Sequence, residues 1–121
     1  MFDLVNISPT WVIEDIQYAN EFETRTDGSY PYRIGCMFQS VMLFGIGMGA
    51  IFEYFKNNLG YPQQGFLHTS PIIDYAVFMN DGYAHATIKS ENSVYFLRSE
   101  YPVQETDEIK KQMYDINITR P

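Results

Sequence analysis

The chain has 121 residues, 45% of them hydrophobic and 17% aromatic, and a formal charge of −7. A single domain of this size, residues 1–121, buries roughly two thirds of its unfolded surface and needs no disulfide or metal to hold a core. The negative charge argues against nucleic acid and against an anionic membrane surface, and leaves basic proteins as the natural electrostatic partners.

Residues 2–7 read as a short strand, closed by Ser8-Pro9, and the opening residues lack the basic-then-apolar order of a secretory signal. Ser8 can cap a helix with Pro9 in its first position. Against that, Ile16, Tyr18, Phe22 and Thr24 share one parity, while Gln17, Glu21, Glu23 and Arg25 share the other. That is the period of a half-buried strand. With the turn signal Thr26-Asp27-Gly28-Ser29 and the alternation of Tyr30, Tyr32, Ile34 and Cys36, it predicts a hairpin with strands 11–25 and 30–36. Residues 1–30 carry six acids against Arg25 alone, a balance of −5, and the rest of the chain carries −2. An acidic binding face is therefore expected on Glu14, Asp15, Glu21 and Glu23, with Tyr30 and Tyr32 as its aromatic part. Cys36 is the only cysteine, which rules out an intrachain disulfide and suits a cytoplasmic, reducing compartment.

Nineteen uncharged residues lie between Arg33 and Glu53. Phe52, Phe55 and Leu59 recur at spacings of three and four, and Gly60-Tyr61-Pro62 is a stop signal. This pattern predicts a long apolar helix over 37–59. Gly45, Gly47 and Gly49 each cost about 1 kcal/mol inside a helix, so they imply a bend or a close neighbouring strand. The run Gly45-Ile46-Gly47-Met48-Gly49-Ala50 also fits a dinucleotide fingerprint, with Gly45, Gly47 and Ala50 at its fixed positions and Asp74 as the later acid. That motif needs a βαβ unit, which the sequence does not continue into, so no cofactor is expected. The segment is also just long enough to span a bilayer. Its glycines, Gln39, Ser40 and unflanked ends favour a soluble core instead, and no membrane association is expected.

Residues 61–71 read as a loop. Residues 72–79 and 83–89 flank Asn80-Asp81-Gly82, a hairpin signal. Tyr83, His85, Thr87 and Lys89 fall on one face, and Ala84, Ala86 and Ile88 on the other. A turn at Ser90-Glu91-Asn92 leads to a third strand at 93–99, whose edge can pair with a second copy and make a homodimer. Thr106 caps a short helix with Asp107 and Glu108 in its first turn, docked by Ile109 and Met113. The expected fold is α+β: an antiparallel sheet of five to six strands around one long central helix, with a short C-terminal helix.

His68-Thr69-Ser70 and His85-Ala86-Thr87 repeat a His-x-Ser/Thr pattern. It resembles the paired motifs of the two-histidine phosphoesterases, and the resemblance implies acid and base roles for His68 and His85, beside Ser70 and Thr87. Two histidines and one cysteine supply no metal site. Size, charge, aromatic content and the lack of a catalytic constellation resemble small phage-encoded inhibitors and toxin-immunity proteins of bacteria. The expectation is an acidic, non-enzymatic protein that occludes a protein partner. Sequestration of a small molecule or nucleotide is the alternative.

Overall fold

The computed structural model describes residues 1–19 and 32–119. Residues 20–25 of the expected 11–25 strand, the Asp27-Gly28 turn and the candidates Glu21, Glu23 and Tyr30 lie outside the described residues.

The fold is a closed β-barrel rather than a sheet around a helix. A two-residue strand β1 (Phe2–Asp3) and one 3-10 turn (Leu4–Asn6) lead into β2 (Trp11–Tyr18). There follow β3 (Met37–Leu43), β4 (Gly49–Lys56), β5 (Phe66–Asn80), β6 (Tyr83–Ser90) and β7 (Ser93–Ser99). One helix, α1 (Asp107–Asn117), ends the described chain. From β2 to β7 each strand pairs antiparallel with its successor, and β7 pairs back onto β2 from Trp11↔Ser99 to Tyr18↔Ser93. Six strands therefore close in simple up-and-down order. β1 extends the seam, pairing with the far end of β3 at Phe2↔Leu43.

A six-stranded barrel is narrow enough for side chains to fill. Trp11, Phe38 and Phe52 are fully buried. Phe52 meets Phe38 edge-on at 5.4 Å and Tyr95 at 5.5 Å between ring centroids, a geometry aromatic quadrupoles favour. The Trp11 indole donates to the carbonyls of Leu4 (3.0 Å) and Ser8 (3.1 Å), fastening the N-terminal turn to β2. The β6 face Ala84, Ala86 and Ile88 points inward as its alternation predicts.

The expected helix over 37–59 is absent: that segment is β3, a tight connection and β4. Its helical look has a physical origin. In β4, Ala50 and Phe52 point inward, while Phe55 and Leu59 are exposed, so the spacing of Phe52, Phe55 and Leu59 marks no common face. In β3, register shifts around Phe38 make Phe38 and Val41 inward neighbours three apart. The same happens at Ile13 and Ile16 across the bulge in β2, and at Ile72 and Tyr75 across the bulge in β5. A bulge adds one residue to a strand, so it changes an inward spacing of two into three. Register shifts at these three places imitate helical periodicity.

The glycines acquire new roles. Gly45 (φ +138°) and Gly47 (φ +87°) turn the β3–β4 connection. At Gly49 a built Cβ would lie 2.6 Å from the Thr69 carbonyl oxygen, so only glycine lets β5 come this close. Residues 32–35 form a turn rather than the expected strand. The strand at 93–99 has no free edge, because β7 lies between β2 and β6.

The 72–99 meander and the C-terminal helix lie where the sequence places them. Asp81 and Gly82 both have positive φ (52° and 82°), the demand of a two-residue type I′ hairpin. Thr106 accepts from Ile109 N at 3.2 Å and caps α1. The helix buries Met113 and Ile116 against the core.

Candidate binding surfaces

The β3–β4 tip, at the β1 end of β3, exposes a run of apolar side chains. Phe44, Ile46 and Met48 are 36%, 42% and 57% exposed. The tip is held rather than loose. Gly47 N donates to Ile72 O (2.8 Å), Ile72 N to Met48 O (2.9 Å), and Met48 N to Gly45 O (3.2 Å). At this end of the sheet Phe2 pairs with Leu43, and the preceding Met1 is exposed. On the β5 side the exposed Ile73 and Asp74 follow Ile72, and Glu91, whose N–H donates to Pro71 O at 3.0 Å, brings a second exposed carboxylate. An apolar centre thus has acidic neighbours. The signal was present in the sequence as glycines alternating with Phe44, Ile46 and Met48.

A second set lies on the outer face of β2, β7, β6 and β5. Glu14 sits at the β2 bulge, and its Oε1 lies 3.6 Å from His85 Nδ1. The His85 ring stacks on Phe78 with 5.4 Å between centroids and 11° between planes. On the neighbouring strand the Arg98 guanidinium covers the Tyr83 ring at 4.6 Å, and its buried Nε has no hydrogen-bond partner among the described residues. These contacts tie β2, β5, β6 and β7 together on their outer side. Asp15 is engaged locally, accepting from Ile16 N (2.9 Å) and from Gln17 Nε2 (3.3 Å). Tyr32 is exposed, and its turn lies alongside β2 through Gly35 N to Ile13 O (2.8 Å), next to Glu14.

The two histidines are not brought together. His68 pairs with Ile51 on β4, whereas His85 pairs with Phe78 at the far end of β5. Ten positions of β5 separate the two stations, roughly 30 Å at ~3.3 Å per residue. One substrate cannot be reached by both, and Ser70 and Thr87 are divided in the same way. Gly45, Gly47 and Ala50 lead into a strand, so no helix N-terminus faces them to receive a pyrophosphate.

Shallow depressions among the described residues include the following two. One of about 220 Å³ is lined by Asp74, Ala76, Thr87, Lys89, Val94 and Phe96. The other, about 170 Å³, lies between Gln39, Glu53, Tyr54 and the Gln63–Phe66 segment. Both fall short of the roughly 300 Å³ at which ligand pockets begin. Among the described residues no cluster of three potential metal ligands occurs, and no helix is long and apolar enough to cross a membrane.

Cys36 is buried, with its Sγ 3.0 Å from the Tyr32 carbonyl it donates to. Burial pushes its thiol above the ordinary value. Burial also raises the Tyr54 phenol, with the neighbouring Cys36 adding to the effect. A thiol held protonated is a poor nucleophile.

Compared with known proteins, the chain matches no family model, no curated protein sequence and no solved structure.

Proposed function

We propose that this protein is a non-enzymatic binding domain that covers a basic site on a partner protein, with the β3–β4 tip at the centre of the contact. The observation that carries the reading is the display of Phe44, Ile46 and Met48 on a connection pinned to β5 by two backbone hydrogen bonds. A pre-ordered apolar tip loses little entropy on docking, and its neighbours Asp74 and Glu91 match a socket with basic edges. The charge of −7 adds long-range steering, with Glu14, Asp15, Glu21, Glu23, Tyr30 and Tyr32 as the proposed flanking face. The barrel interior is filled by side chains such as Trp11, Phe38 and Phe52, which leaves no room there for a nucleotide among the described residues. A reducing cytoplasm suits the single buried thiol.

The test compares proteins captured from the native host by the wild type and by Ile46→Asp/Met48→Asp, followed by titration of the purified partner. The tip variant should bind at least about tenfold more weakly, as expected when the apolar centre of an interface receives charge. Association with the wild type should slow as salt is raised. Equal affinity for both proteins would overturn the role of the tip. A melting-temperature rise with a nucleotide, and no protein that discriminates the variants, would favour the small-ligand alternative.

A further inference from the structure

In a closed barrel every strand has two neighbours, yet β5 outlasts its partner on one side. β4 accompanies it from Glu53↔Phe66 to Gly49↔Pro71, and the β3–β4 connection reaches Ile72. Beyond that point the described residues supply only β6, paired from Ile72↔Ser90 to Asn80↔Tyr83. The other edge of residues 73–80 is met by α1. The Asn117 carboxamide takes both backbone groups of Val77: Val77 N donates to Asn117 Oδ1 (2.9 Å), and Asn117 Nδ2 donates to Val77 O (2.8 Å). A primary amide offers the same donor and acceptor as a peptide group, so this side chain imitates one residue of a missing strand. The next outward-pointing amide, Tyr75 N, is occupied by the Asp74 carboxylate at 2.9 Å. Thr119 meets the Tyr75 hydroxyl and secures the end of the helix.

The protected edge reads Tyr75-Ala76-Val77-Phe78-Met79, five residues without charge or proline. Exposed strands of this composition are templates for pairing. We infer that α1, fastened by Asn117, guards a self-pairing edge, and that loosening this end of the helix lets residues 73–80 pair antiparallel with the same segment of a second copy about a two-fold axis at Val77. Charge placement selects this occupant. In that register Ala76 faces Phe78, Tyr75 faces Met79, and Asp74 faces the neutral Asn80, so no like charges oppose each other. The inference is independent of the partner proposed for the β3–β4 tip.

Sedimentation velocity over a concentration series tests it, on wild type, Asn117→Ala, Asn117→Asp and Asn117→Ala combined with Ala76→Lys/Phe78→Lys. The lysine pair points outward in the monomer but sets Lys against Lys at both cross-strand pairs of the dimer. Wild type should sediment as a monomer and Asn117→Ala should dimerise. Asn117→Asp, which keeps the acceptor for Val77 N, should dimerise more weakly, and the lysine background should stay monomeric. In parallel, the Val77 amide should exchange at least about tenfold faster in dilute Asn117→Ala than in wild type, and recover protection as concentration rises. Should Asn117→Ala fail to fold, Asn117→Asp and the Val77 amide of wild type carry the test. Monomeric behaviour of the folded Asn117 variants, or equal dimerisation with and without the lysines, would overturn the inference.

Discussion

Replacing Gly49 by Ala separates the barrel from any helical account of the middle of the chain by the sign of the effect. In an exposed or loosely packed helix the change would stabilise by about 1 kcal/mol, because Ala is the better helix former. In the barrel a Cβ at this position would stand 2.6 Å from the Thr69 carbonyl oxygen and 3.6 Å from the Thr69 carbonyl carbon, both backbone atoms of a paired strand. An unstrained approach is roughly 3.5 Å, so β4 and β5 must part by close to 1 Å. The neighbouring contact resists that movement, since Ala50 N donates to Thr69 Oγ1 at 2.8 Å across the same gap. Overpacking of this kind costs about 1–3 kcal/mol. The reduced freedom of the unfolded chain returns about 0.4–1 kcal/mol. With the middle of each range, about 2 less about 0.7, a net loss of about 1.3 kcal/mol should remain, which lowers the melting temperature by roughly 5 °C for a chain of this length. Urea denaturation with an unchanged m-value would report it as a shift in midpoint. A neutral or stabilising Gly49→Ala would refute the close approach of β5 and the strand assignment resting on it.

Thr69→Val keeps the shape of the side chain but leaves the fully buried Ala50 N–H without its acceptor. It should cost about 1–3 kcal/mol in the same denaturation assay, while Thr69→Ser should cost less. Alkaline pH should weaken the fold. The Cys36 and Tyr54 pKa values are both raised in the native state, so above their ordinary values of 9.0 and 10.0 the unfolded chain releases protons first and stability falls with pH. Cys36→Ala should flatten the early part of that fall in melting curves taken between neutral and alkaline pH. An unchanged slope would remove Cys36 as its cause.

Local chemistry was legible wherever one residue type has one common use. Asp81-Gly82 demanded positive φ at both positions and so declared its hairpin, and strict alternation from Tyr83 to Lys89 named the inward face of β6. Thr106 with Asp107 and Glu108 announced the start of α1. The charge of −7 and the lone cysteine were likewise properties of the chain alone. The glycines around Ile46 and Met48 were read as a bend in a helix, with a phosphate loop set aside, and they turn a strand connection instead, because each of these uses glycine for backbone freedom. Which of these forms depends on residues distant in sequence: Thr69 and Ile72 of β5 hold the tip and press against Gly49. Bulges at Glu14, near Phe38 and near Ile73 erased the period of two that marks a strand, and a bulge is fixed by the strand paired with it. Closure of β7 onto β2, the separation of His68 from His85 and the capture of Val77 by Asn117 join residues as much as 88 positions apart. Only the assembled barrel sets those distances, since no local pattern encodes which edge a strand will find.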